Sequence, residues 1–174
     1  MDKNKLATLE NQVIEILQGR VADIISATRK NMVVIEEKEN GDSATVADFE
    51  IGNIFDSELP KLLPQSLVIQ EESFNENIYK RIAGGQRYLW VVDPIDGTKA
   101  FREPQNTEWC VGVCLLEDFE PIFSAVFLPE PWLCGKPLLL SANRGRKELH
   151  NFGKVFNEKW QRFKTRHRSG YLIH

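Results

Sequence analysis

Leu6, Leu9, Val13, Ile16, Leu17, Val21, Ile24 and Ile25 recur three and four residues apart along the first part of the chain. That spacing keeps them on one stripe of an α-helix and predicts an amphipathic helix over residues 4–28 that covers a sheet. From residue 32 the pattern changes. Met32, Val33, Val34 and Ile35 form an apolar, largely β-branched run, Asn40-Gly41-Asp42 is a turn signal, and together they predict a hairpin. Asp48 then precedes Phe49, Ile51, Ile54, Phe55, Leu59, Leu62 and Leu63, so a second helix is expected with Asp48 as its N-cap and Pro60 ending or kinking it. Residues 66–70 read as a short apolar strand running into Glu71-Glu72, and residues 87–92 as a second strand running into Asp93. Residues 109–116 and 121–128 are strand-like runs joined by a hairpin turn at Glu117-Asp118-Phe119-Glu120. Leu149, Phe152, Phe156, Trp160 and Phe163 return to helical spacing with basic residues between them, which predicts one amphipathic tail helix.

Helices followed by several strands suggest an α+β protein, layered from helices and sheet. A chain of 174 residues with 42% hydrophobic content and a net charge of −3 is long and apolar enough to bury a core, which excludes wholesale disorder. Its most apolar stretches, residues 88–92 and 111–116, fall far short of the roughly 20 residues that cross a bilayer, so no membrane partner is expected. Charges are interleaved through the N-terminal residues, and no export signal is read there. Cys110, Cys114 and Cys134 form no CxxC pair and no zinc-finger spacing, which points to reduced thiols and a cytoplasmic protein. Charge divides the chain: the net value is −10 up to Asn143 and +7 from Arg144 onward. The expected organisation is therefore a first unit over residues 1–131 carrying the chemistry and a divergent basic tail over residues 132–174.

The chemistry is concentrated in Trp90-Val91-Val92-Asp93-Pro94-Ile95-Asp96-Gly97-Thr98. A buried strand stops, proline fixes the turn, two carboxylates three residues apart can face one point, and Gly97 allows a close backbone approach. Convergent carboxylates plus a backbone carbonyl suit magnesium, which takes oxygen ligands and keeps several waters. Glu71, at the end of another strand, can supply a third carboxylate, and Glu72 an outer-shell one. A short helix opening at Thr98 would turn its first N–H groups, with that of Gly97, toward an anion. Singly, each piece has a plainer reading, since Asp-Pro-x-Asp-Gly is ordinarily a turn and a Glu pair is ordinarily solvated surface. Their combination is what points to a site.

DPIDGT at 93–98, EES at 71–73 and TVAD at 45–48 resemble, in order and approximate spacing, the signature blocks of the inositol monophosphatase family. The resemblance runs from the first helix to about Pro129. It implies the family's layered fold and a lithium-sensitive, magnesium-dependent hydrolysis of a small phosphorylated substrate with two or more metal ions per site. Carried over by position, Glu71, Asp93 and the Ile95 carbonyl would hold a first metal. Asp93 would bridge to a second metal bound by Asp96, and Glu72 would stand in the outer shell. Asp48, Thr98 and Glu71 are the expected catalytic residues, with Thr98 and Asp48 orienting and deprotonating the attacking water. Gly97 and Thr98 N–H groups would hold the substrate phosphate. A homodimer is expected by the same resemblance. His150, His167 and His174 all lie in the basic tail and enter no site.

The chain also departs from the family. A later Trp-Asp-x-x-Ala block, whose Asp completes the second metal site, is absent: Trp90, Trp109, Trp132 and Trp160 are followed by Val91, Cys110, Leu133 and Gln161, and no Asp occurs after Asp118. The family's C-terminal half is thus absent or remodelled beyond Pro131. Lys99-Ala100-Phe101 looks like the Lys-x-Phe of nucleotidase and histidinol-phosphatase branches, although a lysine there is also an ordinary surface residue. The rival reading is a catalytically impaired member acting by association through the aromatic stripe of its tail, although such a stripe ordinarily covers the chain's own sheet or pairs with a second copy. Nucleic-acid binding through the +7 tail is not expected, because the body is acidic and no binding motif accompanies it.

Overall fold

The computed structural model describes residues 1–29, 34–37, 43–71, 76–130, 137–144 and 146–151. The first amphipathic stripe forms one helical run: α1 (Lys3–Ile16), a π-helical turn over Leu17–Val21, and α2 (Ala22–Thr28). Asp2 caps it, its carboxylate accepting from the Lys5 N–H at 2.9 Å. β1 (Val34–Glu37) and β2 (Ser43–Thr45) pair antiparallel as the expected hairpin, while the Asn40-Gly41-Asp42 turn lies outside the described residues. Among the described residues no helix is long and apolar enough to cross a membrane.

The second helix, α3 (Val46–Leu62), corrects the capping assignment: Thr45, not Asp48, is the N-cap, and Asp48 is the third helical residue of a capping box. Both are good capping residues, and the Thr45 hydroxyl is the one placed where it can close the box. Pro60 lies in the last turn and the helix continues to Leu62.

The remaining strands form one sheet in the order β3 (Leu67–Gln70), β4 (Tyr88–Asp96), β5 (Cys110–Glu117), β6 (Glu120–Leu128), β7 (Leu138–Asn143) and β8 (Arg146–Asn151). Among the described strands only β3 and β4 run parallel, and the crossover between them carries α4 (Glu76–Ala83). The α+β layering holds. Two features differ from the sequence expectations. The region expected as a basic tail contributes β7 and β8 to the same sheet, and Leu149 lies in a strand rather than a helix, because residues 146–151 pair antiparallel with β7. Phe152, Phe156, Trp160 and Phe163 lie outside the described residues. β4 also continues through Pro94 to Asp96, since Asp96 still pairs with Cys110 beyond an irregularity in the register.

Side chains alternate along each strand, so the sheet has two faces. Trp90, Val92, Val113, Leu115, Phe123 and Phe127 point to one face and are almost fully buried under α1 and α3. Trp90 Nε1 donates to Ser66 Oγ at 3.1 Å, which satisfies the one polar atom of the largest core side chain. Buried Glu10 of α1 accepts from Ser141 Oγ at 2.5 Å and Asn143 Nδ2 at 2.6 Å, tying that helix to β7. On the opposite face α4 packs Ile78 and Ile82 against Leu67 and Leu89 at one end, while Val91 remains 40% exposed.

Candidate active site

Three strand or helix ends deliver the acidic residues. β3 ends at Gln70 with Glu71 following it, β4 carries Asp93 and Asp96, and α3 begins beside them with Asp48 in its first turn. In a regular strand, residues three apart face opposite sides. The register shift between Asp93 and Asp96, where Pro94 and Ile95 stand, breaks that alternation against β5. Glu71 and Asp93 line one open concavity of about 640 Å³, whose other walls are Val91, Gly112, Cys114 and Val126. Glu72 lies outside the described residues.

Electrostatics report the crowding. The Asp93 carboxyl is pushed up to about 6, first by burial, then by the negative charges of Asp96 and Glu71, with Asp48 adding to them. Asp48 is 2% exposed and burial raises its carboxyl as well, against the opposing hydrogen bonds from Thr45 and Thr98. Those bonds fix its orientation. Asp48 Oδ2 accepts the Thr45 N–H at 2.7 Å and the Thr45 hydroxyl at 2.6 Å, which leaves Oδ1 toward Thr98 Oγ1 at 3.4 Å. Thr98 Oγ1 also lies 3.0 Å from the Ile95 carbonyl, and its single hydrogen can serve only one of the two acceptors at a time. Cys110 Sγ approaches Asp96 Oδ2 at 3.7 Å, and burial together with that carboxylate pushes the thiol up to about 12.

Gly97 sits between β4 and α5 (Thr98–Arg102) in a left-handed conformation, with φ of 86°. A Cβ at this position would also stand 2.8 Å from the Glu108 carbonyl and 3.3 Å from Trp109, so only glycine fits both the dihedral and the space. The turn then leads directly into α5, where Phe101 N–H closes onto the Gly97 carbonyl at 2.9 Å.

The donor set is all oxygen: three carboxylates and a backbone carbonyl, with accumulated negative charge at Asp93. This chemistry fits a hard divalent cation that retains water ligands. Among the described residues no three His, Cys, Asp or Glu side chains stand together closely enough to hold a metal ion, so the fit rests on the chemistry of the donors. Sequence reasoning brought together Asp48, Thr98, Gly97, Asp93, Asp96 and Glu71, all of which meet in this region. It missed Thr45, which orients Asp48, and Cys110, which flanks Asp96. The Thr-x-x-Asp spacing was the available signal for Thr45, whereas Cys110 becomes a neighbour only through strand pairing.

The profile of the inositol monophosphatase family matches residues 5–169. A 3'(2'),5'-bisphosphate nucleotidase CysQ of Aggregatibacter actinomycetemcomitans is 27% identical over 121 residues, covering 70% of this chain and 44% of that protein. The crystal structure of Staphylococcal inositol monophosphatase-1 soaked in LiCl superposes with a TM-score of 0.68 at 22% identity, covering 86% of this chain and 52% of that one. An IMPase/NADP phosphatase complexed with Mg2+ and phosphate gives a TM-score of 0.65 at 23% identity, over 82% and 51% of the two chains. At such identities the structures establish a shared fold. The chain spans about half the length of the proteins it matches. The match across nearly the whole sequence makes this chain a member of the inositol monophosphatase family.

Proposed function

We propose that the chain carries the metal- and phosphate-binding part of a magnesium-dependent phosphomonoesterase that hydrolyses a small phosphorylated substrate with an activated water. The observation that carries this reading is the convergence at Asp93. Its carboxyl is half-buried at the rim of an open concavity and faces the charge of three other carboxylates, which is the field a divalent cation relieves.

In this reading Glu71, Asp93, Asp96 and the Ile95 carbonyl would be the magnesium ligands, all of them hard oxygen donors. When bound there, magnesium would acidify water to give a nucleophile at neutral pH and would neutralise charge on the leaving oxygen. Thr98 and Asp48 manage the proton: with Asp48 Oδ2 held by Thr45, Oδ1 is a fixed acceptor for the Thr98 hydroxyl. Thr98 Oγ1 is then free to accept from the attacking water. Gly97 and Thr98 N–H groups take the phosphate, and the left-handed glycine brings the backbone close to it.

The CysQ likeness and Lys99-Ala100-Phe101 favour a 3'(2'),5'-bisphosphate nucleotide over an inositol phosphate as substrate. Lithium inhibition and a homodimer belong to the same reading. The test is phosphate release by the purified chain with magnesium, offered a bisphosphonucleotide, inositol phosphate and histidinol phosphate, with Asp93→Asn beside the wild type. Turnover should require magnesium and fall at least about 100-fold in the variant, which loses the carboxylate at the centre of the acidic cluster. Equal turnover by Asp93→Asn places the chemistry elsewhere, and no turnover of any ester by a folded chain favours the binding-protein alternative.

A further inference from the structure

Arg29 follows α2, far in sequence from the acidic residues, yet its guanidinium is enclosed by the segment that flanks Gly97 and Thr98. The guanidinium carbon stands 5.2 Å from the Phe101 ring centroid and 5.4 Å from that of Trp109, and those two rings meet edge to face at 4.7 Å. Nη2 donates to the Glu103 carbonyl at 3.1 Å and the Asn106 carbonyl at 2.6 Å, and Nε to Glu130 Oε2 at 3.1 Å. The side chain is only 9% exposed. Nη1 is buried without an acceptor, as is Trp109 Nε1, so the cation is held by its stack and by three bonds rather than by a saturated cage.

What Arg29 grips is the frame of the turn. Phe101 lies one helical turn after Gly97 and its N–H closes onto the Gly97 carbonyl. Trp109 and the Glu108 carbonyl form the wall that leaves Gly97 no room for a side chain. Glu103 and Asn106, whose carbonyls Nη2 holds, belong to the loop that joins these two sides. We propose that Arg29 is a positioning residue for the Gly97–Thr98 turn: stacked on Phe101 and Trp109 and bonded across the connecting loop, it fixes where the Thr98 hydroxyl and the turn's N–H groups point. It touches neither metal nor substrate, and what the turn does in catalysis rests on the phosphatase reading above. The fork and the plane of arginine are both required, because a lysine supplies a point charge without the two-carbonyl grip or the stack.

The test uses the full chain with Arg29→Lys and Arg29→Met, read first by amide hydrogen exchange. Amides of residues 98–102 should exchange at least about tenfold faster in both variants while those in β5 and β6 keep their protection, because the opening is local. Affinity for inorganic phosphate in the presence of magnesium, measured by calorimetry, should fall about tenfold, with kcat lowered more than KM is raised. Arg29→Lys keeps the charge and serves if Arg29→Met does not fold. Unchanged exchange at residues 98–102, or an equal rise throughout the sheet, overturns the proposal and leaves Arg29 as a general stability contact. Should the wild type bind no phosphate with magnesium, the phosphatase reading fails, and the exchange pattern still decides whether Arg29 holds the turn.

Discussion

The same six strands present two faces that have been put to different uses. Under α1 and α3, Trp90, Phe123 and Phe127 fill a closed layer, with Trp90 and Phe123 meeting edge to face at 6.5 Å. On the other side, among the described residues, α4 covers one end, and Val91, Gly112, Cys114 and Val126 line an open concavity. Burial on the first face supplies stability in proportion to apolar area removed from water. The second face leaves Asp93 at its rim, desolvated enough to shift yet still accessible. Core and candidate site are thereby separated by one residue of strand alternation: Val92 belongs to the core and Asp93 to the candidate site.

Breaking the covered face should have the largest effect. Trp90→Ala removes the largest fully buried side chain and leaves Ser66 Oγ without its donor, and such truncations cost about 3–5 kcal/mol. Urea denaturation should show that loss, which is a large share of a domain's total stability. A cost under about 1 kcal/mol would mean the layer between helices and sheet is looser than its burial implies.

Much of this layering is legible in the sequence because it rests on periodicity. The stripe from Leu6 to Ile25 and the alternation in β5 and β6 are set by local geometry, and both elements form where expected. Features that depend on partners distant in sequence are not legible. Proline ordinarily argues against a continuing strand, yet β4 passes through Pro94 because β5 still pairs beyond it. β7 starts in Leu138, Leu139 and Leu140, a run short enough for the nearby charge change to mask it, and only the pairing with β6 shows it as a strand. Ile78 and Ile82, four residues apart before Gly84, carried the signal for α4, but eight residues give little periodicity to read. The candidate site was read through its motif rather than through physics alone. Arg29 had no signal at all, since its neighbours come from residues 101 to 130.

Thr45 and Asp48 allow capping to be separated from the proposed chemistry. Thr45→Ala removes the N-cap of α3 and should cost about 1 kcal/mol in a denaturant melt. Part of the turnover should survive, because Asp48 keeps its carboxylate. Asp48→Asn keeps the shape of the box and should abolish phosphate release, since an amide cannot take the Thr98 proton. Full activity in Asp48→Asn would reduce Asp48 to a structural residue.

The covered face also ends in a carboxylate, Glu117, and its environment is the reverse of that of Asp93. The Met1 ammonium donates to Glu117 Oε1 at 2.6 Å, with Tyr88 and Arg87 adding bonds, and the carboxyl is lowered from 4.5 to about 2. A folded-state value below the unfolded one means that Glu117 stabilises the fold fully above about pH 4.5 and loses that contribution as pH falls through about 2. Thermal melts across this window should therefore decline more steeply for the wild type than for Glu117→Gln, which starts lower at neutral pH. Parallel pH profiles would show that the N-terminal ammonium does not hold Glu117 in solution.

The smallest expected effect is the sharpest probe of the two faces. Val91 and Val92 are neighbours on one strand, 40% and 3% exposed, and threonine replaces one methyl of either by a hydroxyl of nearly the same size. Val92→Thr places that hydroxyl in the closed layer and should cost about 1–3 kcal/mol, the range for a buried polar group without a partner. Val91→Thr should stay within about 0.5 kcal/mol, as surface substitutions do. Denaturant midpoints of the two variants therefore measure the asymmetry of the sheet directly. Equal costs would mean that the face bearing Asp93 is covered in solution. A midpoint rising with protein concentration would then identify the cover as a second copy of the chain, because only association makes stability depend on concentration.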